Sequence, residues 1–478
     1  MADSEVGIKM NELPDNILQA GEVETYVQSL QPTKIEDLGT PLWFESHHRL
    51  QKLNQQATIE AAEMREEIVK ELLMSNGKIP ILIHEAICIQ VWREKIFSQI
   101  LKLQQEPQNT FIAYIILFHE ITAVSLLTNI LYHKDSLQGA EDTVVDLIDY
   151  CSIEVVRLLS GDYIKIQEST TNVNNMEDLK SQCKTIGFNI GLSAVCILRY
   201  LTEFLDNLPL TAVARLYKTH DVPLLMTTLL QMAPWKRVNP KTNATQIYED
   251  RMWKNIEKIP GISKYEGQCW IALKTLLLDM RSENQYEVND FRKQHFLKIQ
   301  TLLTETIIDQ LPPLLGLKQF LSHLAVRDVS TLHKAPLIME TIPEIKSNIM
   351  KKCSKKWKSI TKKQVEMIFC CKKDILMDVA RRLGETYDID HIEKLFPEGP
   401  FCAACGDSAS KRCSKCRNEW YCGRECQVKR WPKHKLVCEL MANKEEGDTK
   451  IIQPSDVHYK TLNNYDEHLI HRGSVIET

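Results

Sequence analysis

Across its 478 residues the chain has no Gly-x-Gly, no Asn-His pair and no Gly-x-x-x-x-Gly-Lys-Ser/Thr loop. Without the last, the usual phosphate-cradling chemistry of a chaperone ATPase has no place to sit. Without the first, a glycine-rich cofactor loop is excluded. Charge of one sign is also lacking: 59 Lys plus Arg against 63 Asp plus Glu leave −4. No global field therefore draws the chain to nucleic acid or to an anionic membrane, and such binding would have to be local. The first 30 residues, from Met1-Ala2-Asp3-Ser4-Glu5, contain no basic stretch followed by an apolar one. A secretory signal is not visible, so the chain is expected in the cytosol or nucleus. Alternating strand patterns are scarce as well.

What is present is helical periodicity. With 44% apolar residues the chain can bury a large core, and length alone allows two to four domains' worth of material. Ile190, Ala194, Ile197, Leu201 and Phe204 advance in steps of three and four, which places them on one helix face. A polar turn, a proline and an apolar run recur at Asn76-Gly77-Lys78-Ile79-Pro80, at His220-Asp221-Val222-Pro223 and at Leu311-Pro312-Pro313. Proline suits a first helical turn, where its missing N–H had no partner. The pattern over residues 15–395 resembles an armadillo-like helical solenoid, in which helix pairs bury their apolar faces by stacking on neighbours. An irregular helical scaffold is the alternative; either way the fold class is all-α.

Four segments need separate readings. An exposed loop is expected near residues 161–182, because Glu168-Ser169-Thr170-Thr171-Asn172 and Asn174-Asn175 offer little to bury. Phe111 to Leu131 is about the length of a membrane span, but His119 and Glu120 at its centre point to a buried core helix and no membrane span. Lys351, Lys352, Lys355, Lys356, Lys358 and Lys362 form a basic run after Ile342-Pro343-Glu344. Ile349, Cys353, Trp357 and Ile360 are spaced to form the buried side of that helix, leaving the lysines in solvent. Residues 443–478 are polar and read as a flexible tail.

Fifteen cysteines are distributed unevenly, seven of them between Cys402 and Cys438. That density points to metal ligation; the other eight, among them Cys370 and Cys371, sit mostly among apolar neighbours as free thiols. The ligand order is Cys402-x2-Cys405, Cys413-x2-Cys416, Cys422-x3-Cys426 and His434-x3-Cys438. Soft ligands in pairs turn back onto one ion, and thiolates with an imidazole favour zinc. Eight ligands fill two tetrahedral sites with no position over for water, so both ions are expected to be structural. A 37-residue segment so poor in large apolar residues needs that metal to fold. His47, His48, His84 and His119 lack metal-ligand spacing to cysteines and are read as core or surface residues.

This spacing, with Trp420-Tyr421-Cys422, Cys426-Gln427, Trp431 and His434, resembles the MYND zinc finger. The resemblance implies interleaved ligands: Cys402, Cys405, Cys422 and Cys426 on one ion, and Cys413, Cys416, His434 and Cys438 on the other. It also implies a protein-interaction module that takes short, often proline-containing peptides along a groove at Ser414, Gln427 and Trp431. An amide can pair with an extended backbone while an indole packs a proline or leucine; the alternative places Trp431 in the finger's core and Gln427 on a bare helix surface. Nine basic residues against three acids give the finger +6. Seven thiolates and two zinc ions bring this to +3, too little to demand nucleic acid.

Beyond the finger, Gly77-Lys78-Ile79-Pro80, Pro107-Gln108-Asn109-Thr110-Phe111, Gly267-Gln268-Cys269-Trp270-Ile271-Ala272-Leu273 and Asp309-Gln310-Leu311-Pro312 occur in an order similar to that of the MYND-type dynein-arm preassembly factors. That resemblance, from about residue 15 to 440, implies a non-enzymatic cytoplasmic protein of ciliated or flagellated cells, near the centrosome or cilium base. Its implied partners are chaperones, a leucine-rich-repeat assembly factor and axonemal dynein subunits. Two other classes compete. A SET-domain methyltransferase carrying such a finger would need the missing Gly-x-Gly and Asn-His segments. A transcriptional corepressor adaptor would use the finger in the nucleus, and only the lysine run around residues 351–363 could serve there as an import signal.

Overall fold

The computed structural model describes residues 17–103, 107, 110–161, 175–239, 242–249, 251–256, 261–279, 285–326, 341–369, 402–405, 407, 409–415 and 419–442. Residues 370–400, with Cys370 and Cys371, and the tail 443–478 lie outside the described residues, as does most of the expected loop.

Packing starts from Phe111–Ile130, a 20-residue helix that is apolar on every side and has 18 residues buried. Such a helix is stable only if neighbours cover it all round. Before it come α1 (Ala20–Ser29), α2 (Pro41–Ala62), α3 (Ile68–Ser75), α4 (Ile79–Trp92), a π-helical turn (Arg93–Phe97) and α5 (Ser98–Leu103). The helix itself is α6, followed by α7 (Lys134–Gln138), α8 (Val144–Leu159), α9 (Asn175–Glu203), α10 (Leu210–Ala214) and α11 (Val222–Met232). After a small sheet come α12 (Lys264–Leu278), α13 (Asp290–Gln300), α14 (Glu305–Gln310), α15 (Leu315–Val326), α16 (Ile345–Cys353) and α17 (Trp357–Phe369).

The long helices pack in series. One row runs α2, α6, α9, α12, α15, each touching the next; a second runs α4, α8, α11, α13. The rows pair as α4 with α6, α8 with α9, α11 with α12 and α13 with α15. The proline signals start α4 and α11, each with proline in the first turn, while Pro312-Pro313 begins a 3-10 turn that leads into α15. Ile190, Ala194, Ile197 and Leu201 are all buried on α9. Among the described residues two helices, α6 and α9, are long and apolar enough to cross a membrane, yet 89% and 83% of their apolar windows are buried within the chain.

Two expectations need correction. The loop expected to last to residue 182 ends by Asn175, where α9 begins; Met176, Leu179 and Gln182 are buried there. Glu177, Asp178 and Lys180 between them hide the three- and four-residue steps. The all-α class also misses a three-stranded antiparallel sheet of β1 (Lys236–Val238), β2 (Thr245–Glu249) and β3 (Met252–Asn255). Its strands are only three to five residues long, and β2 buries three consecutive residues, so no period of two is there to read. Asn243, in the connection between β1 and β2, and Arg251, between β2 and β3, carry positive φ of 55° and 57°, a conformation asparagine tolerates better than most.

The lysine-rich segment is the last piece of the cover. Ile349, Cys353 and Ile360 are buried and Trp357 half-buried, while Lys351, Lys352, Lys355, Lys358 and Lys362 stay exposed. Helix α16 lies on α4, and α17 on the π-helical turn, α5 and α6. Buried Gln364 accepts from Trp92 Nε1 at 2.7 Å and donates to the Ile35 carbonyl at 2.8 Å, joining positions 272 residues apart.

Arg93 gathers one set of buried charges in this core. Glu120 and Glu154 have fully buried side chains and share Arg93, with ion-pair distances of 2.7 Å and 2.8 Å. Tyr150 donates to Glu120 at 2.9 Å, and Arg157 reaches Glu154 at 2.6 Å and also Glu94. Lys346 of α16 closes on Glu94 at 3.0 Å. Three carboxylates thus face three cations, and the third cation comes from the returning segment. A second buried group joins His47 Nδ1 to His119 Nδ1 at 2.8 Å and His119 Nε2 to Glu85 at 3.0 Å.

Removing Arg93 takes the ion-pair partner from buried Glu120 and leaves Glu154 to Arg157. Arg93→Met is expected to cost about 3–5 kcal/mol, the usual penalty for breaking a buried pair from one side. Adding Glu120→Gln to it should recover part of that loss. Denaturant unfolding checks both; an unchanged midpoint for Arg93→Met contradicts the balance. A pH effect follows from Glu60, whose carboxyl burial pushes up to about 7 against donors from Gln56 and the Val69 N–H. Because the folded value lies above the ordinary 4.5, this group's contribution is full at acid pH and is lost as pH rises toward 7. Glu60→Gln should flatten that decline between about pH 5 and about pH 8 in thermal unfolding, whereas an unaltered slope excludes it.

Candidate metal centre

Among the described residues the C-terminal module has its own small core of Cys402, Ala409, Cys413, Tyr421 and Cys438. A 37-residue module of this composition cannot hold a fold by apolar burial alone. Its framework is a two-residue ladder, β4 (Lys411–Arg412) against β5 (Trp420–Tyr421), followed by helix α18 (Arg424–Ala442). Backbone bonds close the ligand turns: the Cys402 N–H donates to the Asp407 carbonyl at 2.6 Å, and the Cys413 N–H to the Glu419 carbonyl at 2.8 Å. The Ala403 N–H donates to the Trp420 carbonyl at 2.9 Å, which fixes the first turn on β5.

These constraints gather the ligand atoms in two places. Sulfurs of Cys402, Cys405, Cys422 and Cys426 all lie within 4.8 Å of one another, and so do the ligand atoms of Cys413, His434 and Cys438. Cys416, expected to complete the second set, lies outside the described residues. Sulfur separations are 3.4 Å for Cys405–Cys422, 3.5 Å for Cys422–Cys426 and 3.6 Å for Cys413–Cys438. All are far longer than the roughly 2.05 Å of a disulfide. With zinc–sulfur bonds of about 2.3 Å, tetrahedral sulfurs stand about 3.8 Å apart, so each cluster has the size of a zinc site.

The thiols show how such a cluster takes an ion. Burial opposes ionisation of Cys402, but N–H groups of Cys422, Ala404 and Cys405 outweigh it and bring the thiol down to about 6. Burial and the neighbouring sulfurs push Cys405 up to about 11. Backbone donors therefore favour the thiolate at Cys402, and a cation must displace the protons that the cluster retains.

Around the second cluster, His434 is fully buried, and its Nδ1 lies 3.2 Å from Glu419 Oε2. Tyr421 donates its hydroxyl to the same oxygen at 2.6 Å. Burial would raise the Glu419 carboxyl, but the contacts to His434 and Tyr421 prevail and hold it below the usual carboxylate range. Neither Glu419 nor the hydroxyl of Tyr421 stands out in the sequence, because neither belongs to the ligand spacing.

The three residues expected to line a peptide groove are at the surface to different degrees. Ser414 is exposed in the turn after Cys413, Gln427 is half-buried, and Trp431 is 37% exposed. Gln427 and Trp431 stand four positions apart on α18, hence on one face, with exposed Val428 beside them. Trp431 does not enter the finger's core; its ring meets His434 at 5.8 Å, 62° between planes.

Residues 402–438 match the MYND finger family. The chain is 33% identical over 450 residues to the zinc finger MYND domain-containing protein 10 homolog of Drosophila melanogaster, covering 88% of this chain and 99% of that protein. The chain belongs to the zinc finger MYND domain-containing protein 10 family. A shorter match, 40% identical over 57 residues, is to dauer abnormal formation protein 25 of Caenorhabditis elegans, spanning 12% of this chain and 13% of that one. No solved structure matches. For this member of the protein 10 family the finger is a metal-binding, protein-interaction module.

Proposed function

We propose that this chain is a non-enzymatic cytoplasmic adaptor and co-chaperone for preassembly of axonemal dynein arms in cells that build motile cilia. In this reading two structural zinc ions fold the finger, one on Cys402, Cys405, Cys422 and Cys426, the other on Cys413, Cys416, His434 and Cys438. The helical rows form an armadillo-like solenoid whose surface receives chaperones and dynein subunits, while the finger grips a leucine-rich-repeat assembly factor. Family membership over nearly the whole chain is the observation that carries the reading. The serial pairing of helices supports the solenoid. Exposed Trp431 and Val428 beside Gln427, together with exposed Ser414, support an extended peptide laid on α18.

The experiment is a pull-down from ciliating cells, read by mass spectrometry, comparing the intact chain with Gln427→Ala plus Trp431→Ala. Dynein chains, chaperones and a leucine-rich-repeat protein are expected with the intact chain. Truncating an aromatic hot spot costs about 2 kcal/mol, roughly thirtyfold in affinity, so the finger's partner should be lost from the double variant while metal content is kept. Capture of nuclear corepressor components instead would contradict the proposal.

A further inference from the structure

The second cluster offers two sulfurs and one ring among its described ligands, and the ring is the adjustable part. A cysteine presents one sulfur, whereas histidine presents either of two nitrogens, depending on which carries the proton. His434 has no exposed surface, so water does not select its tautomer. Its Nδ1 lies 3.2 Å from the Glu419 carboxylate, within ion-pair distance. The same carboxylate oxygen is held by the Tyr421 hydroxyl at 2.6 Å, and Tyr421 itself is buried and stacks edge-on to His434 at 6.1 Å. Backbone placement reinforces the arrangement, since the Glu419 carbonyl accepts from the N–H of Cys413, a residue of the same cluster.

Resting on the two-zinc reading above, we propose that Glu419, itself fixed by Tyr421, is the positioning residue of the second zinc site. It keeps the proton of His434 on Nδ1 and presents Nε2 to the ion. Carboxylate–histidine–metal triads orient the ring and raise the ligand's basicity. No comparable carboxylate is needed at the other cluster, whose four ligands are all sulfurs. Glu419 thus makes the two sites unequal: its loss weakens one ion and spares the other.

The test uses the full chain loaded with cobalt(II) or zinc(II), comparing wild type with Glu419→Ala, Glu419→Gln and Tyr421→Phe. Chelator competition is followed through the cobalt bands, in which a three-sulfur, one-nitrogen site differs from a four-sulfur site. Outer carboxylates are typically worth about 10–100-fold in metal affinity, so Glu419→Ala should release the nitrogen-containing site about 10–100-fold more readily. The four-sulfur site should be unchanged. Glu419→Gln, which keeps an acceptor oxygen, should restore part of the difference, and Tyr421→Phe should show a smaller loss at the same site. Nitrogen-15 shifts of His434 should report a protonated Nδ1 and a metal-bound Nε2 in the wild type. Equal release from both sites in Glu419→Ala, or a metal-bound Nδ1, would overturn the proposal. A wild-type chain that fails to bind two ions would instead overturn the zinc reading on which it stands.

Discussion

The helical region depends on covering α6. A helix with 18 of its 20 residues buried has no solvent face to give away, so α2, α4 and α9 must all reach it. The returning α17 is held there too, through Gln364 between Trp92 and Ile35. Burying Glu120 at the centre of this helix adds a second demand, because an isolated carboxylate would be prohibitively costly there. Arg93 meets it from the π-helical turn. The chain of charge then runs outward through Glu154, Arg157 and Glu94 to Lys346. Apolar cover and charge balance therefore require the same long-range contact, the return of residues 345–369 to the first helices.

The finger solves the opposite problem. It has only a small apolar core among its described residues and collects thiols whose mutual proximity is unfavourable until a cation replaces their protons. One part of the chain is thus held by burial and the other by ligation. That division suits an adaptor, since the finger's surface residues Gln427, Val428 and Trp431 are spared from core duty. The scaffold, in turn, can present a long surface without relying on the metal. The free cysteines of the helical region fit this separation: burial pushes the Cys88, Cys151 and Cys269 thiols up, away from metal or redox chemistry.

Features carried by local spacing were legible in the sequence. The prolines at positions 80 and 223 start helices, the α9 face is the one periodicity marks, and the lysine run turns its Ile349, Cys353 and Ile360 side inward. The zinc-type spacing likewise assembles into clusters. What stayed hidden depends on partners far away or on strands too short to have a period. Nothing near Trp92 indicates that its indole bonds Gln364, and nothing near His47 indicates His119. The β1–β3 sheet is disguised by its three consecutive buried residues, and Glu419 by lying outside the ligand pattern.

Hydrogen exchange on the full chain, with and without a zinc chelator, tests most directly whether burial and ligation hold separate parts. The amides of α6 should be the slowest in both conditions, while residues 402–442 should be protected only when metal is present. Loss of protection spreading into α6 on chelation, or a finger that stays protected without metal, would contradict the division.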